Sequence, residues 1–330
     1  MTMLHNRPVY GLEDVFGVEA KALRRLQFAL FALFEESGFS EVIPPFLERQ
    51  STLMLGAGKF LADQTLVFTD PADTGQLAIR PDMTPQIARI AATRMCDEAV
   101  LKLFYSGTVI LARPDSSMAG NAASRQQWQT GVECFGLAGS DGDVEVIRLA
   151  AQSMYTAGFH QPVLMIGHMQ LLKSLTEGSS LSLEGWVQLM YRRSPEDVQT
   201  QLDVDLARGS LSQQQAGALA DIVRGMANVE WLQQQKGQIN EAFDQSSDEL
   251  QQLVEITQRE MQGKVDICID IAVMPRFLYH TGMVFSGFSG DASQALLHGG
   301  RYDAMMAAHG RDMPATGFSC DLWAWVHALH

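Results

Sequence analysis

Basic charge is what this chain is short of: 24 lysines and arginines face 38 aspartates and glutamates, for a formal net charge of −14. A protein that grips a nucleic-acid backbone ordinarily presents a basic face. That imbalance argues against tRNA as a partner, and the surplus acid reads as solubility. Cysteine is scarce too, with Cys96, Cys134, Cys268 and Cys320 scattered singly and without C-x-x-C spacing. The pattern argues against a disulfide framework and a zinc site, and points to reduced thiols in the cytoplasm. The eight histidines lack ligand spacing such as H-E-x-x-H, so no metal or other cofactor is expected. No apolar run approaches the roughly 20 residues of a membrane helix. Residues 1–10 lack an apolar signal core, so export and a membrane location are not expected either. A phosphate-binding loop is missing: Gly56-Ala57-Gly58-Lys59 continues with Phe60, and no upstream glycine stands in register.

What is present is an ordinary globular composition. The 330 residues are 46% hydrophobic and 19% charged, enough for one large or two medium domains with real cores. Leu23, Leu26, Leu30, Leu33 and Phe34 fall at helical spacing, which predicts a helix over Glu19 to Ser37 with Gly38 as its stop. Phe39 to Ile43 reads as a short strand ended by Pro44-Pro45. Val67-Phe68 and Leu77 to Ile79 flank Asp70 to Gly75, a hairpin signal. Thr84-Pro85 reads as an N-cap hydroxyl followed by proline at the first helical position, opening a helix to about Met95. Strands are expected over Leu101 to Leu111 and Gln127 to Phe135, with a mobile loop over Pro114 to Ser124. Asp143 to Gly158 resumes helix, and Val163 to Ile166 strand. From Gly167 to Gly263 strand signals fade and Gln-rich helical segments take over, such as Leu211 to Ala227 and Ser247 to Met261. Strand character returns at Val265 to Ile271. The expected organisation is a discontinuous core domain, 1–166 and 263–330, carrying a mainly helical insertion over 167–262.

Several constellations could carry chemistry. In Trp128 to Phe135 the side chains alternate, so Gln129, Gly131 and Glu133 share a face, with glycine between two polar groups. A small cationic ligand could lie in that gap; the plain alternative is the solvent face of an antiparallel strand. Asp82 offers a second carboxylate at a helix mouth, although both it and Thr84 have a capping explanation. Tyr279 and His280, read as strand residues, would point to opposite faces, so only one would line a given pocket. Gly299-Gly300 permits close backbone approach or a tight turn.

Together these segments resemble the catalytic domain of histidyl-tRNA synthetase from about Gly11 to the C-terminus, which implies an α/β (α+β) class II synthetase fold, an antiparallel sheet flanked by helices. Arg80-Pro81-Asp82-Met83-Thr84 is similar to that family's Arg-Pro-Glu-x-Thr segment. Gln129 and Glu133 match its histidine-contacting glutamine and glutamate. Tyr279 and His280 stand where it has two tyrosines, within Tyr279 to Phe285, and Gly299-Gly300-Arg301-Tyr302-Asp303 completes the resemblance. The resemblance implies a histidine site of Asp82, Thr84, Gln129, Glu133, Tyr279 and His280, with Arg113 and Tyr302 as further contacts.

The family's catalytic arginines are missing. Its Phe-Arg-x-Glu is here Ile110-Leu111-Ala112-Arg113, so Leu111 replaces an arginine and Arg113 stands two positions late, displaced about 7 Å along the expected strand. Its Gly-Leu-Glu-Arg becomes Asp321-Leu322-Trp323-Ala324. The histidine-specific arginine falls on Pro275, with Arg276 one residue off. Adenylate formation needs positive charge against developing phosphate charge, and one such donor is typically worth about 2.7–4 kcal/mol. Three losses imply no catalytic residues and no aminoacylation, and the sequence ends at His330 where an anticodon-binding domain would be expected to follow. A chain of this kind resembles the regulatory-subunit family of ATP phosphoribosyltransferase. That resemblance implies a short-form catalytic subunit as partner, a hetero-oligomer (commonly an octamer) built on self-dimers, and histidine feedback on histidine biosynthesis. The alternatives are a stand-alone synthetase paralogue using Arg113 and Arg276, or a histidine-sensing module for another partner.

Overall fold

A computed structural model describes residues 8–72, 74–114, 124–272, 279–290 and 294–329. Its strands in chain order are β1 (Ser40–Glu41), β2 (Leu47–Arg49), β3 (Leu66–Thr69), β4 (Gln76–Ile79), β5 (Leu101–Ile110), β6 (Gln126–Phe135), β7 (Val163–His168), β8 (Asp266–Ile269), β9 (Met283–Phe288), β10 (Leu297–Arg301) and β11 (Ala315–Asp321). Among the described residues, eight of them form one sheet in the order β1-β5-β6-β11-β10-β9-β7-β8, and β2-β4-β3 form a second. Neighbours in the large sheet are antiparallel except β1 with β5 and β7 with β8. The expected antiparallel sheet flanked by helices is present, with an unexpected parallel pair at each edge.

The strands' alternation divides the molecule. Phe104, Val132, Cys134, Phe318 and Cys320 face one layer, packed with Leu23, Leu26, Leu30 and Phe34 of helix α1 (Gly17–Glu36). Leu103, Tyr105, Val109 and Phe135 join a smaller cluster with Met83, Ile87, Ala88, Tyr302, Met305 and Met306. Both faces of the central strands are therefore packed, and polar side chains there such as Glu133 and Thr130 are withdrawn from bulk water. α1 ends as its sequence dictates, with Gly38 at φ +81°, a conformation costly for any residue with a Cβ.

Further helices are α2 (Gln50–Leu53), α3 (Thr84–Thr93) and α4 (Asp141–Ala157). After β7 come α5 (Met169–Leu175), α6 (Leu183–Arg192), α7 (Pro195–Arg208), α8 (Gln213–Val223), α9 (Val229–Gln235) and α10 (Glu241–Met261). Each helix from α6 to α10 begins on a Ser or Asn side chain (Ser182, Ser194, Ser212, Asn228 and Asn240) that accepts a first-turn N–H. Such caps satisfy donors that the helix itself leaves unpaired. Trp186, Leu219, Leu232 and Phe243 from this segment join the same continuous core as Leu164 and Phe318. Helices α11 (Asp303–Ala308) and α12 (Leu322–Ala328) complete the chain. Among the described residues no helix is long and apolar enough to cross a membrane.

Three local expectations need correction and a fourth is half met. The strand expected over Phe39 to Ile43 is only Ser40–Glu41, because two prolines follow closely and only β5 flanks it. Thr84 is not the N-cap of α3; Met83 holds that position, and the Asp82 carboxylate accepts the Thr84 N–H at 3.0 Å. Of the two readings of Gly299-Gly300 the turn fails and the close approach holds: the pair is the middle of β10, where a Cβ on either would overlap a neighbour. Tyr279 and His280 precede β9 rather than lying in a strand, so strand alternation does not govern them. Most of the loop expected over Pro114 to Ser124, residues 115–123, lies outside the described residues.

Candidate ligand pocket

Register builds the pocket. Along β6, Gln129, Gly131 and Glu133 face the same side, opposite Asp321, Ser319 and Gly317 of β11. Ser319 and Gly317 in turn stand opposite His298 and Gly300 of β10. The floor is thus a row of Glu133, Gly317 and Gly300 beside a row of Gly131, Ser319 and His298. The start of α3 supplies Asp82 and Thr84, the segment before β9 supplies Tyr279 and His280, and Tyr302 comes from the mouth of α11. Asp82, Thr84, Tyr279, His280 and Tyr302 line one cavity together with Gln129 and Glu133 of β6 and with residues of β10 and β11, His298 and Ser319 among them. The cavity is partly open to solvent.

The glycines are spacers. A Cβ on Gly317 would overlap Oε2 of Glu133, and one on Gly300 would overlap the His280 ring. The Tyr279 and His280 rings stack, with centroids 4.5 Å apart and planes 26° from parallel. Both therefore line the same cavity, contrary to the opposite-face expectation.

The gap foreseen between Gln129 and Glu133 over Gly131 is not vacant. Tyr105, opposite Gly131 in β5, fills it; a Cβ at Gly131 would stand 2.7 Å from its hydroxyl. That hydroxyl donates to Oε1 of Glu133 at 2.9 Å and lies 3.2 Å from the Thr84 hydroxyl. Tyr302 donates to Oε2 of the same carboxylate. Gln129 is also engaged internally. Its amide oxygen accepts from the Met83 N–H and its nitrogen donates to Oδ1 of Asp82, both at 2.8 Å, and to the Ser319 hydroxyl at 3.2 Å. Gln129 thus ties the mouth of α3 to the sheet and aims Asp82. The second Asp82 oxygen, Oδ2, is reached by the Tyr279 hydroxyl only at 3.4 Å, a long bond that a stronger donor could supplant.

Burial sets the electrostatics. Glu133 and Asp82 are 1% and 2% exposed. Desolvation pushes the Glu133 carboxyl up to about 8, although the hydroxyls of Tyr302, Thr84 and Tyr105 pull it back, and nearby Asp82 adds a smaller push upward. Tyr105 and Tyr302 are held well above the ordinary phenol value by burial and by Glu133 itself, so both remain donors. A pocket with two buried acids, one of which can take or give a proton near neutral pH, and phenolic donors suits a ligand carrying basic nitrogens. Among the described residues that line it there is no arginine or lysine, and among the described residues no cluster could hold a metal ion.

Asp82, Thr84, Gln129, Glu133, Tyr279, His280 and Tyr302 all meet here. Arg113 does not. β5 stops at Ile110, the chain turns, and Arg113 is exposed, with its backbone N–H on Oε1 of Gln64 at 3.2 Å. The two-residue shift in a continuing strand therefore fails. Leu111 and Ala324, which stand where the resemblance requires arginines, are buried; Pro275 and Arg276 lie outside the described residues. Arg80 serves the frame: it donates to the carbonyls of Thr108 and Pro44 at 3.0 Å, and burial lowers its pKa to about 10. Sequence reasoning missed Tyr105, His298 and Ser319, whose place in the pocket follows from register alone.

The profile of the histidyl-tRNA synthetase family matches residues 11–324, which defines the class of this fold and pocket. An ATP phosphoribosyltransferase regulatory subunit from Chromohalobacter salexigens is 33% identical over 320 residues, covering 94% of this chain and 79% of that one. The chain belongs to the histidyl-tRNA synthetase family and, within it, to the ATP phosphoribosyltransferase regulatory subunits. In fold it is similar to an ATP phosphoribosyltransferase regulatory subunit/histidyl-tRNA synthetase from Bacillus halodurans, with a TM-score of 0.85, 23% identity, and coverage of 100% and 84% of the two chains. It is also similar to a chain of the ATP phosphoribosyl transferase (HisG:HisZ) complex from Thermotoga maritima, with a TM-score of 0.66, 17% identity, and coverage of 90% and 96%.

Proposed function

We propose that this chain is a non-catalytic regulatory subunit of ATP phosphoribosyltransferase. It works with a short-form catalytic subunit at the first step of histidine biosynthesis and reports histidine to it. The observation that carries the reading is the pocket itself: it keeps Asp82 and Glu133 for a cationic amino acid, while Leu111 and Ala324 stand where phosphate-binding arginines would be needed. Asp82 Oδ2 receives the ligand ammonium, and Glu133 with its two phenols receives the imidazole. Binding without activation is the chemistry of a receptor, provided that histidine binds two states of the complex unequally.

The assembly is a cytoplasmic hetero-oligomer, an octamer built on dimers of this chain, without tRNA. The net charge of −14 supports the last point, and partly exposed Phe46, Leu47, Val67 and Phe68 around the small sheet support a subunit contact there. Residues 1–166 and 263–330 act as the core domain and 167–262 as its helical insertion. Co-purification with the catalytic subunit, with phosphoribosyl-ATP synthesis that histidine inhibits, is the expected result. Histidine-dependent ATP–pyrophosphate exchange by this chain alone would overturn it.

A further inference from the structure

A histidine ligand also brings a carboxylate, and the residues above that receive its ammonium and imidazole are acids and phenols. Among the described lining residues, the nitrogen bases are His280 and His298. The His280 ring is stacked on Tyr279 and seated over Gly300, in the same floor row as Glu133. His298 stands in the next row, opposite Ser319. Two residues along a strand span about 7 Å, comparable to the distance from the imidazole of a histidine to its carboxylate. A ligand with its ring at Glu133 therefore directs its other end toward the row of Ser319 and His298.

The His298 ring is held in place. Its Nδ1 lies 2.7 Å from the Oγ of Ser286, a buried residue directly opposite it in β9. With Nδ1 on that serine, any ligand contact from this ring is made through Nε2; in the tautomer in which the Ser286 hydroxyl donates to Nδ1, Nε2–H is a donor suited to an anionic oxygen. The serine is a positioning residue, fixing the rotamer of the ring.

We infer that His298, oriented by Ser286, receives the carboxylate of the bound amino acid and sets the pocket's preference for histidine over carboxylate-free analogues. The inference rests on the histidine-binding reading above. It replaces an arginine clamp with a weaker imidazole contact, which suits a receptor that must also release its ligand.

The test is calorimetric titration of the full chain with histidine and with histidinol, which keeps the imidazole and the amine but lacks the carboxylate. The wild-type protein is expected to bind histidine at least tenfold more tightly. His298→Ala is expected to weaken histidine about tenfold and leave histidinol unchanged. His298→Gln, closer in bulk, is expected to show part of the same selective loss, and keeps the test decisive if the alanine variant does not fold. Equal losses for both ligands, or no loss for either, would overturn the assignment. So would a preference that vanishes in Arg276→Ala but survives in both His298 variants. Failure of the wild-type chain to bind either ligand is a different result: it removes the histidine-binding reading and this inference with it.

Discussion

The Glu133 carboxylate lies over the Cα of its cross-strand partner Gly317, where any Cβ would overlap Oε2. That relationship lets a buried acid lie flat on the sheet between the hydroxyls of Tyr105 and Tyr302. Gly317→Ala must displace either the carboxylate or the strand. Overpacking of this kind typically costs 1–3 kcal/mol, so the melting temperature should fall and histidine affinity should drop at least tenfold. Thermal unfolding and calorimetry on the same variant check both; a variant that binds like wild type would mean that the ligand does not use Glu133.

Histidine affinity should have an optimum in pH. The Glu133 carboxyl is pushed up to about 8, and a free imidazole titrates near 6.5. The bound pair shares one proton. Below about 6.5 the protonated ligand meets a protonated acid, and one proton must leave. Above about 8 both have lost theirs, and one must be taken up. Affinity measured from pH 5.5 to 9 should be greatest between those values and fall up to tenfold per pH unit outside them. A flat profile would place the imidazole elsewhere.

The same acid makes the unliganded protein pH-sensitive. Because the folded-state value is raised from 4.5 to about 8, the stability linked to this group is fully present below pH 4.5 and is lost as pH rises through 8. Glu133→Gln cannot ionise. Its melting temperature relative to wild type should therefore climb between pH 5 and about 8 and level off above that, with histidine affinity lost throughout. A constant difference across that range would show that Glu133 keeps an ordinary carboxyl value.

Much of this could be read from the residues, and the gaps have physical causes. Helical spacing with a left-handed glycine stop located α1, and strand alternation put Gln129 and Glu133 on one face of β6. Alternation within one strand says nothing of its neighbours, however. That Tyr105 fills the space over Gly131, and that His298 stands beside Ser319, depends on the register of β5, β6, β10 and β11, which non-local pairing determines. Gln129 lines the pocket as its place on β6 suggests, but it also secures Asp82 and the mouth of α3, which one strand's alternation does not reveal, because a buried amide must satisfy both its oxygen and its nitrogen. Arg113 was misplaced by assuming that β5 runs past Ile110. The loss of arginines was the clearest sequence signal, since leucine and alanine cannot bind phosphate wherever the chain folds.

The most direct test is the histidine inhibition curve of the reconstituted complex with its catalytic subunit, compared between wild-type chain and Glu133→Ala. A charge-assisted hydrogen bond is worth roughly 1.5–3 kcal/mol, so the variant should still support phosphoribosyl-ATP synthesis but need about ten to a hundred times more histidine for half-inhibition. Unchanged inhibition by histidine in the mutant complex would contradict the assignment of this pocket as the histidine receptor.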